Sequence, residues 1–195
     1  MNVRPTENWY WYFDHNLDSL MLNLSQDMVF RSRFTKKMLV DDGFIETRFS
    51  IADAATYYQF YENCDSFLLP EPYKVQLVLN AIAARNYLKP QMPKSWYFLP
   101  QATPYMPDIG EAVCVQLCEN HQFIDLLTID ISDNATLCVI AQKSAPLAGK
   151  TVILGDVIKI MHDRLIPKRY VSDIFNRQAK EEDNWIVNDS VSHVF

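Results

Sequence analysis

The chain has only four glycines, Gly43, Gly110, Gly149 and Gly155. That scarcity excludes a dinucleotide fingerprint and a serine nucleophile elbow, both of which place glycines at fixed short spacings so that the backbone can turn tightly or approach a ligand. The nearest echo of a phosphate loop is Gly149-Lys150-Thr151. Such a loop needs a further glycine five positions earlier, where Ser144 stands, and a helix afterwards, where the strand-like Val152-Ile153-Leu154 follows. Histidine is equally sparse: His15, His121, His162 and His193 are scattered, and none has a second ligand at helical or strand spacing. No metal and no cofactor are expected.

Excess positive charge is also missing. With a formal net charge of −6, the chain lacks the broad basic field that nucleic acid or an anionic membrane surface requires, which leaves only local basic patches. No apolar run approaches the roughly 18 residues of a membrane-spanning helix, and Asn8-Trp9-Tyr10-Trp11-Tyr12-Phe13 is too short and too aromatic for a signal-peptide core. The expectation is a cytoplasmic protein, neither exported nor inserted in a membrane, with no nucleic-acid partner. The four cysteines, Cys64, Cys114, Cys118 and Cys138, are too sparse to staple a fold that has its own core. Cys114 and Cys118 lie in Ala112-Val113-Cys114-Val115-Gln116-Leu117-Cys118, which reads as a strand. Four residues along a strand separate them by about 13 Å, too far for one zinc ion or one disulfide. Reduced, buried thiols are expected.

What the chain does have is apolar material, 49% hydrophobic and 13% aromatic, enough for one large core or two small ones over 195 residues. The pattern predicts an α+β protein: an N-terminal α/β domain over residues 1–90, a small β-barrel-like domain over 91–169, and a mobile acidic tail over 170–195. In the first, the stretches 9–13, 20–24 and 28–30 suit a small antiparallel sheet, with Trp9, Trp11 and Tyr12 as core packing. Ser50 and Asp53 form an acidic variant of the capping box, opening a helix with Ile51, Ala54, Ala55, Tyr58 and Tyr61 on its apolar face and an end near Asn63. A second helix starts at Pro70-Glu71-Pro72 and carries Val75, Val78, Leu79 and Ile82 on one side, with Leu77, Ala81, Ala84 and Leu88 on another. A helix this apolar is expected to be largely buried.

Lys89-Pro90-Gln91-Met92-Pro93-Lys94 then breaks that helix, because proline donates no backbone hydrogen bond and pushes the residue before it out of the α region. Beyond it the period changes to two, with strands expected at 96–99, 112–118, 123–131, 136–141 and 152–161. Several short strands separated by turns point to a small barrel or sandwich.

A search for catalytic chemistry finds little. Cys118 and His121 are close in sequence, but no third group orients them. Asp156 with Asp163, and Asp130 with Asp133, read as surface carboxylates in loops. What remains is recognition. Arg31-Ser32-Arg33-Phe34-Thr35-Lys36-Lys37 and Arg164-Leu165-Ile166-Pro167-Lys168-Arg169 mix cations with large apolar groups, the combination in which an apolar anchor supplies desolvation energy and the charges supply orientation. Lys89 and Lys94 are expected to be exposed, since Pro90 and Pro93 keep the backbone extended, with Met92 and Trp96 close enough to serve as apolar anchors. The partner-contact candidates are therefore Lys89, Met92, Lys94 and Trp96, with Arg31, Arg33, Arg164 and Lys168 from the two clusters.

Asn8-Trp9-Tyr10-Trp11-Tyr12, Met28-Val29-Phe30-Arg31-Ser32-Arg33-Phe34, the stretch from Tyr87 to Trp96, and Gly155-Asp156-Val157-Ile158-Lys159-Ile160-Met161 with Asp163-Arg164-Leu165 together resemble the ZapC family, Z-ring-associated cell-division proteins of gammaproteobacteria. The resemblance spans roughly residues 1–168. It implies a cytoplasmic, cofactor-free protein at the midcell division site that binds the tubulin-like polymer FtsZ, promotes lateral bundling of its protofilaments and lowers their GTP turnover. It also implies an α/β domain followed by a β-barrel-like one. A monomer with two separated basic surfaces is expected. The competing reading is a regulatory β-barrel protein that binds a small ligand or nucleotide, which needs an arginine-rich loop converging on the barrel; residues 164–169 are its only candidate.

Overall fold

The computed structural model describes residues 3–25 and 28–171. Within them the class is α+β, with two α-helices and eleven strands paired antiparallel. The first sheet has the order β3-β2-β1-β4. It is built from β1 Tyr10–Asp14, β2 Ser19–Asn23, β3 Val29–Arg31 and β4 Thr47–Arg48. Alternation along β1 sends Trp11 and Phe13 inward and leaves Tyr10 and Tyr12 half-exposed on the outer face, their ring centroids 5.9 Å apart. Trp9 and Trp11 are buried core residues, whereas Tyr12 belongs to the outer face.

Helix α1, Ile51–Asn63, opens with the reciprocal cap: the Ser50 hydroxyl accepts from the Asp53 amide at 3.0 Å, and the Asp53 carboxylate accepts from the Ser50 amide at 2.9 Å. Its buried face differs from the expected one. Tyr57 and Phe60 point inward, while Ile51 is 91% exposed and Tyr58 also faces solvent. Ala54, Tyr57, Tyr61 and Cys64 form an equally regular helical stripe, and the structure buries that one. The Tyr57 hydroxyl donates to the carbonyl of Val3 at 2.7 Å, which satisfies its polar end.

Helix α2, Glu71–Tyr87, is the centre of the molecule. Every residue from 77 to 84 is buried, and the helix packs against Phe123–Ile131 and Ala135–Ile140 of the second sheet while Tyr87 meets Trp11 of the first, ring centroids 5.8 Å apart. The larger apolar cluster is therefore shared: it joins Trp9, Trp11, Leu20 and Leu22 to Leu77 and Leu79, and on to Leu127, Ile129 and Val139.

The second sheet has the order β10-β7-β6-β5-β11. Its strands are β5 Ala112–Gln116, β6 Phe123–Ile131, β7 Ala135–Ile140, β10 Val157–Met161 and β11 Ile166–Pro167; the hairpin β8 Ser144–Leu147 with β9 Lys150–Ile153 stands apart. The sheet is apolar on both faces. Leu127, Val139 and Val157 join the α2 core, while Leu126, Cys138, Ile140, Ile158 and Ile160 join a second cluster with Phe98, Ala145 and Leu147.

The expected barrel closure is not observed. β10 and β11 are the two edges of an open sheet, and the hairpin covers a face without joining the ladder. Residues 152–161, expected as one strand, are split by a turn at Gly155, whose φ of +88° suits glycine. A Cβ there would lie 2.6 Å from the Asn80 amide nitrogen on α2. Residues 96–99, expected as a strand, instead begin with the 3₁₀ turn Ser95–Tyr97, and Phe98 makes only an isolated bridge to Leu117. Ser95 closes that turn by accepting the Phe98 amide at 3.1 Å. The expected mobile tail over 170–195 lies outside the described residues beyond Val171.

Candidate partner-binding surface

The segment that follows α2 is pinned at both ends. On one side, Leu39 and Leu88 form an isolated bridge and the Lys89 amide donates to the Met38 carbonyl at 2.9 Å. On the other, Pro93 pairs in parallel with Lys159 on the edge of β10, and the Lys94 amide donates to the Lys159 carbonyl at 2.9 Å. Ser95 adds a third tie, its hydroxyl accepting the Met161 amide at 2.8 Å. Residues 89–96 thus run from the first sheet's loops to the second sheet's edge as a strap with a defined backbone.

The side chains on this strap point outward. Lys89 and Lys94 are exposed, Met92 is 80% exposed and Trp96 65% exposed. The Lys89 ammonium donates to the Lys37 carbonyl at 3.2 Å, which brings Lys89 beside the 3₁₀ turn Lys36–Met38 and its two exposed lysines. None of Lys36, Lys37, Lys89, Lys94 and Lys159 has a carboxylate partner among the described residues. The result is a patch of lysines around two exposed apolar side chains. Isolated apolar side chains on a surface are ordinary, but a methionine and a tryptophan on one short segment with lysines that lack carboxylate partners combine the apolar anchors and charges of a recognition surface.

The other candidates fall elsewhere. Arg164 is half-buried, pairs with Asp163 at 2.7 Å and donates from Nε to the Ser95 carbonyl at 3.3 Å, so it supports the strap from beneath. Lys168 is held by both oxygens of Asp125, at 2.7 and 2.8 Å, and its ammonium lies 5.9 Å from the centre of the Phe67 ring. Lys168 and Arg169 line a cavity beside α1, whereas Arg164 does not, and the open sheet forms no barrel on which an arginine-rich ligand loop could converge. Arg31 is exposed, with Nη2 donating to the Leu17 carbonyl at 2.8 Å, and Arg33 pairs with Asp156 at 3.0 Å; both line a separate cleft beside β3. Sequence reasoning missed Lys159. Its signal was a lysine inside an apolar strand, the usual mark of a protected sheet edge.

A cavity of about 620 Å³ lies between α1, residues 105–112 and the pair Lys168-Arg169. Its polar side chains are used structurally: Gln59 and Asn63 donate to the carbonyls of Ile109 and Gly110 at 3.1 and 2.7 Å. Burial, and then a hydrogen bond to Glu111, push the Tyr105 phenol up to about 12. Burial likewise pushes the Cys64 and Cys114 thiols up to about 12, and raises Cys138. Such thiols are poor nucleophiles at neutral pH. Cys118 is exposed. Among the described residues, no group of three or more His, Cys, Asp or Glu side chains could hold a metal ion, and no helix is long and apolar enough to cross a membrane.

Two family models match consecutively along the chain: the N-terminal part of cell-division protein ZapC over residues 2–89 and its C-terminal part over 90–170. The chain belongs to the ZapC cell-division family. Among curated relatives, the cell division protein ZapC of Musicola paradisiaca is 44% identical over 168 residues, covering 86% of this chain and 90% of the relative. That of Xenorhabdus bovienii is 40% identical over 169 residues, covering 86% and 92%, and that of Vibrio cholerae 38% identical over 165 residues, covering 84% and 91%. The similarity runs across the strap, so membership in the family extends to the segment that carries the exposed lysines.

Proposed function

We propose that this chain is a non-enzymatic, cytoplasmic division adaptor that binds FtsZ polymers at midcell, promotes their lateral bundling and lowers their GTPase activity, with Lys89, Met92, Lys94 and Trp96 as the contact surface. The observation that carries the reading is the strap itself: two apolar anchors and two lysines displayed on a backbone tied down at Met38 and Lys159. A surface fixed before binding loses less conformational entropy on association than a loose loop does. An acidic chain meets an acidic polymer through a local patch of opposite sign, and the lysines around Met92 and Trp96 supply one.

The test is co-sedimentation of the Lys89→Asp, Lys94→Asp variant with GTP-assembled FtsZ, read beside polymer bundling and GTPase rate. Each reversal replaces an attraction by a repulsion, about 1–3 kcal/mol or roughly ten- to a hundredfold in affinity for a partly desolvated contact. The variant keeps the wild-type melting temperature and loses sedimentation and bundling. Wild-type bundling by that variant refutes the assignment of this surface.

A further inference from the structure

Strand β3 is an edge of the first sheet, and a cleft of about 470 Å³ lies beside it. The cleft is bounded by Val29, Arg31 and Arg33 on one side, by α2 at Tyr73, and by the base of the β8–β9 hairpin at Lys143 and Ile153. No residue of the strap lines it, so this surface is separate from the proposed FtsZ contact.

Two properties define what fits there. The first is an unused row of backbone groups. The Leu24 amide donates to the Met28 carbonyl, and the Ser32 amide donates to the Leu20 carbonyl, so the even-numbered residues of this stretch face β2. Alternation in an antiparallel ladder turns the backbone groups of Val29 and Arg31 outward. The next outward amide, Arg33, is taken by the Asn80 side chain at 2.9 Å, whereas Val29 and Arg31 have no such cover among the described residues. The second property is charge. Arg33 is neutralised by Asp156 at 3.0 Å, but Arg31 and Lys143 have no carboxylate partner, and among the described residues no carboxylate lines the cleft. Arg31 spends one guanidinium nitrogen on the Leu17 carbonyl, which leaves the rest of its fork free.

Val29 and Arg31 project their side chains from the same face, two residues apart, with Phe30 turned into the core between them. A strand laid along this edge therefore meets an apolar side chain and a cation at a period of two, and like charges placed opposite each other destabilise a ladder. Two copies meeting through this cleft would bring cations together, which disfavours self-pairing and selects an acidic strand. We propose that this cleft binds an extended acidic segment of a partner protein as one more strand on the edge of β3. A β-branched side chain of that segment sits beside Val29, and carboxylates two and four residues away sit at Arg31 and Lys143. Main-chain hydrogen bonds supply the affinity and this alternation the specificity.

The probe is the labelled, capped peptide Thr-Val-Thr-Glu-Thr-Glu-Thr, compared with a counterpart in which lysine replaces both glutamates. Fluorescence anisotropy on the full chain gives the acidic peptide about tenfold higher affinity than its counterpart. It also slows hydrogen exchange at the Val29 and Arg31 amides. The variant Arg31→Glu, Lys143→Glu changes two exposed side chains, keeps the wild-type melting temperature and reverses the preference. No saturable binding, a preference that the variant leaves unchanged, or binding that does not slow those two amides overturns the proposal. Protection of the same amides before any peptide is added overturns it as well: loss on dilution assigns the edge to a second copy, and persistence on dilution assigns it to this chain itself.

Discussion

Helix α2 and the strap that follows it are adjacent in the chain and opposite in environment. From residue 77 to 84 nothing of α2 reaches solvent, and its side chains tie the first sheet to the second. A few residues later, Met92 and Trp96 stand in solvent although the backbone beneath them is anchored at three points. The helix satisfies its own backbone and is free to bury every side chain. The strap borrows its backbone partners from Met38 and Lys159, and so displays its side chains without loosening. On the proposed assignment, stability resides in the helix and recognition in the strap, so a substitution in either is expected to report on only one of them.

The strongest way to break that comparison is through the helix. Leu79→Ala removes a fully buried side chain from the shared core, at a cost of about 2–5 kcal/mol. Because that core joins residues of both sheets, tryptophan fluorescence from Trp9 and Trp11 and hydrogen exchange in β6 and β7 shift together in denaturant. Two separate transitions would show that the halves fold independently and that α2 belongs to one of them alone.

Alkaline pH attacks the same region. Burial, the leading cause in each case, raises the Cys64 and Cys114 thiols from 9.0 to about 12 and the Tyr87 phenol from 10.0 to about 12. A raised folded-state value means that the neutral form is favoured by folding, so this stability is complete below pH 9 and is lost as pH rises toward 12. Thermal unfolding between pH 8 and 12 shows a flat limb and then a fall. Tyr87→Phe removes part of the slope at its upper end, and an unchanged slope would place the titration elsewhere.

Gly155→Ala tests the junction between the helix and the second sheet. The added Cβ meets Asn80 at 2.6 Å on a backbone with φ of +88°, and Asn80 in turn holds the Arg33 amide. The expected loss is about 1–3 kcal/mol. Hydrogen exchange at Arg33 rises with it, while the strap keeps its exposure and its partner. A neutral outcome would mean that Asn80 can move without cost.

Much of this was legible in the sequence, for reasons that differ by segment. β6 is legible over its full length because a nine-residue stretch rich in Ile and Leu, bounded by turn residues on both sides, has one simple reading. α1 was placed correctly but its buried face was not, because aromatic side chains populate two stripes and spacing alone does not say which meets the core. The single strand expected over 152–161 is interrupted at Gly155, where the Asp156 amide closes a turn on the Ile153 carbonyl and Asn80, far away in sequence, sits where a Cβ would be. The exposure of Lys89 and Lys94 followed from the flanking prolines, whereas the anchoring of that segment depends on Met38 and Lys159 and was invisible. Charge counting grouped Arg164 and Lys168 with the exposed cations; Asp163 and Asp125 hold them inside, and a count of charges does not record pairing.

The smallest expected effect comes at the start of α1, where the helix is held more by its cap than by its packing. Its first turn is exposed, Ile51 included, so little apolar burial stabilises that end. The Ser50 hydroxyl satisfies the Asp53 amide, and the Asp53 carboxylate satisfies the Ser50 amide while its other oxygen accepts from Asn86 on α2 at 2.8 Å. Ser50→Ala leaves one helix-end donor without its side-chain partner and costs about 1 kcal/mol. Asp53→Ala costs more, since it removes the reciprocal bond, the tie to α2 and a carboxylate placed favourably near the helix N-terminus. Denaturant titration of the two single variants gives that order, and neither alters co-sedimentation with FtsZ. Equal costs for the two would mean that the bond to Asn86 contributes nothing and that α1 is positioned by Tyr57 and Phe60 alone.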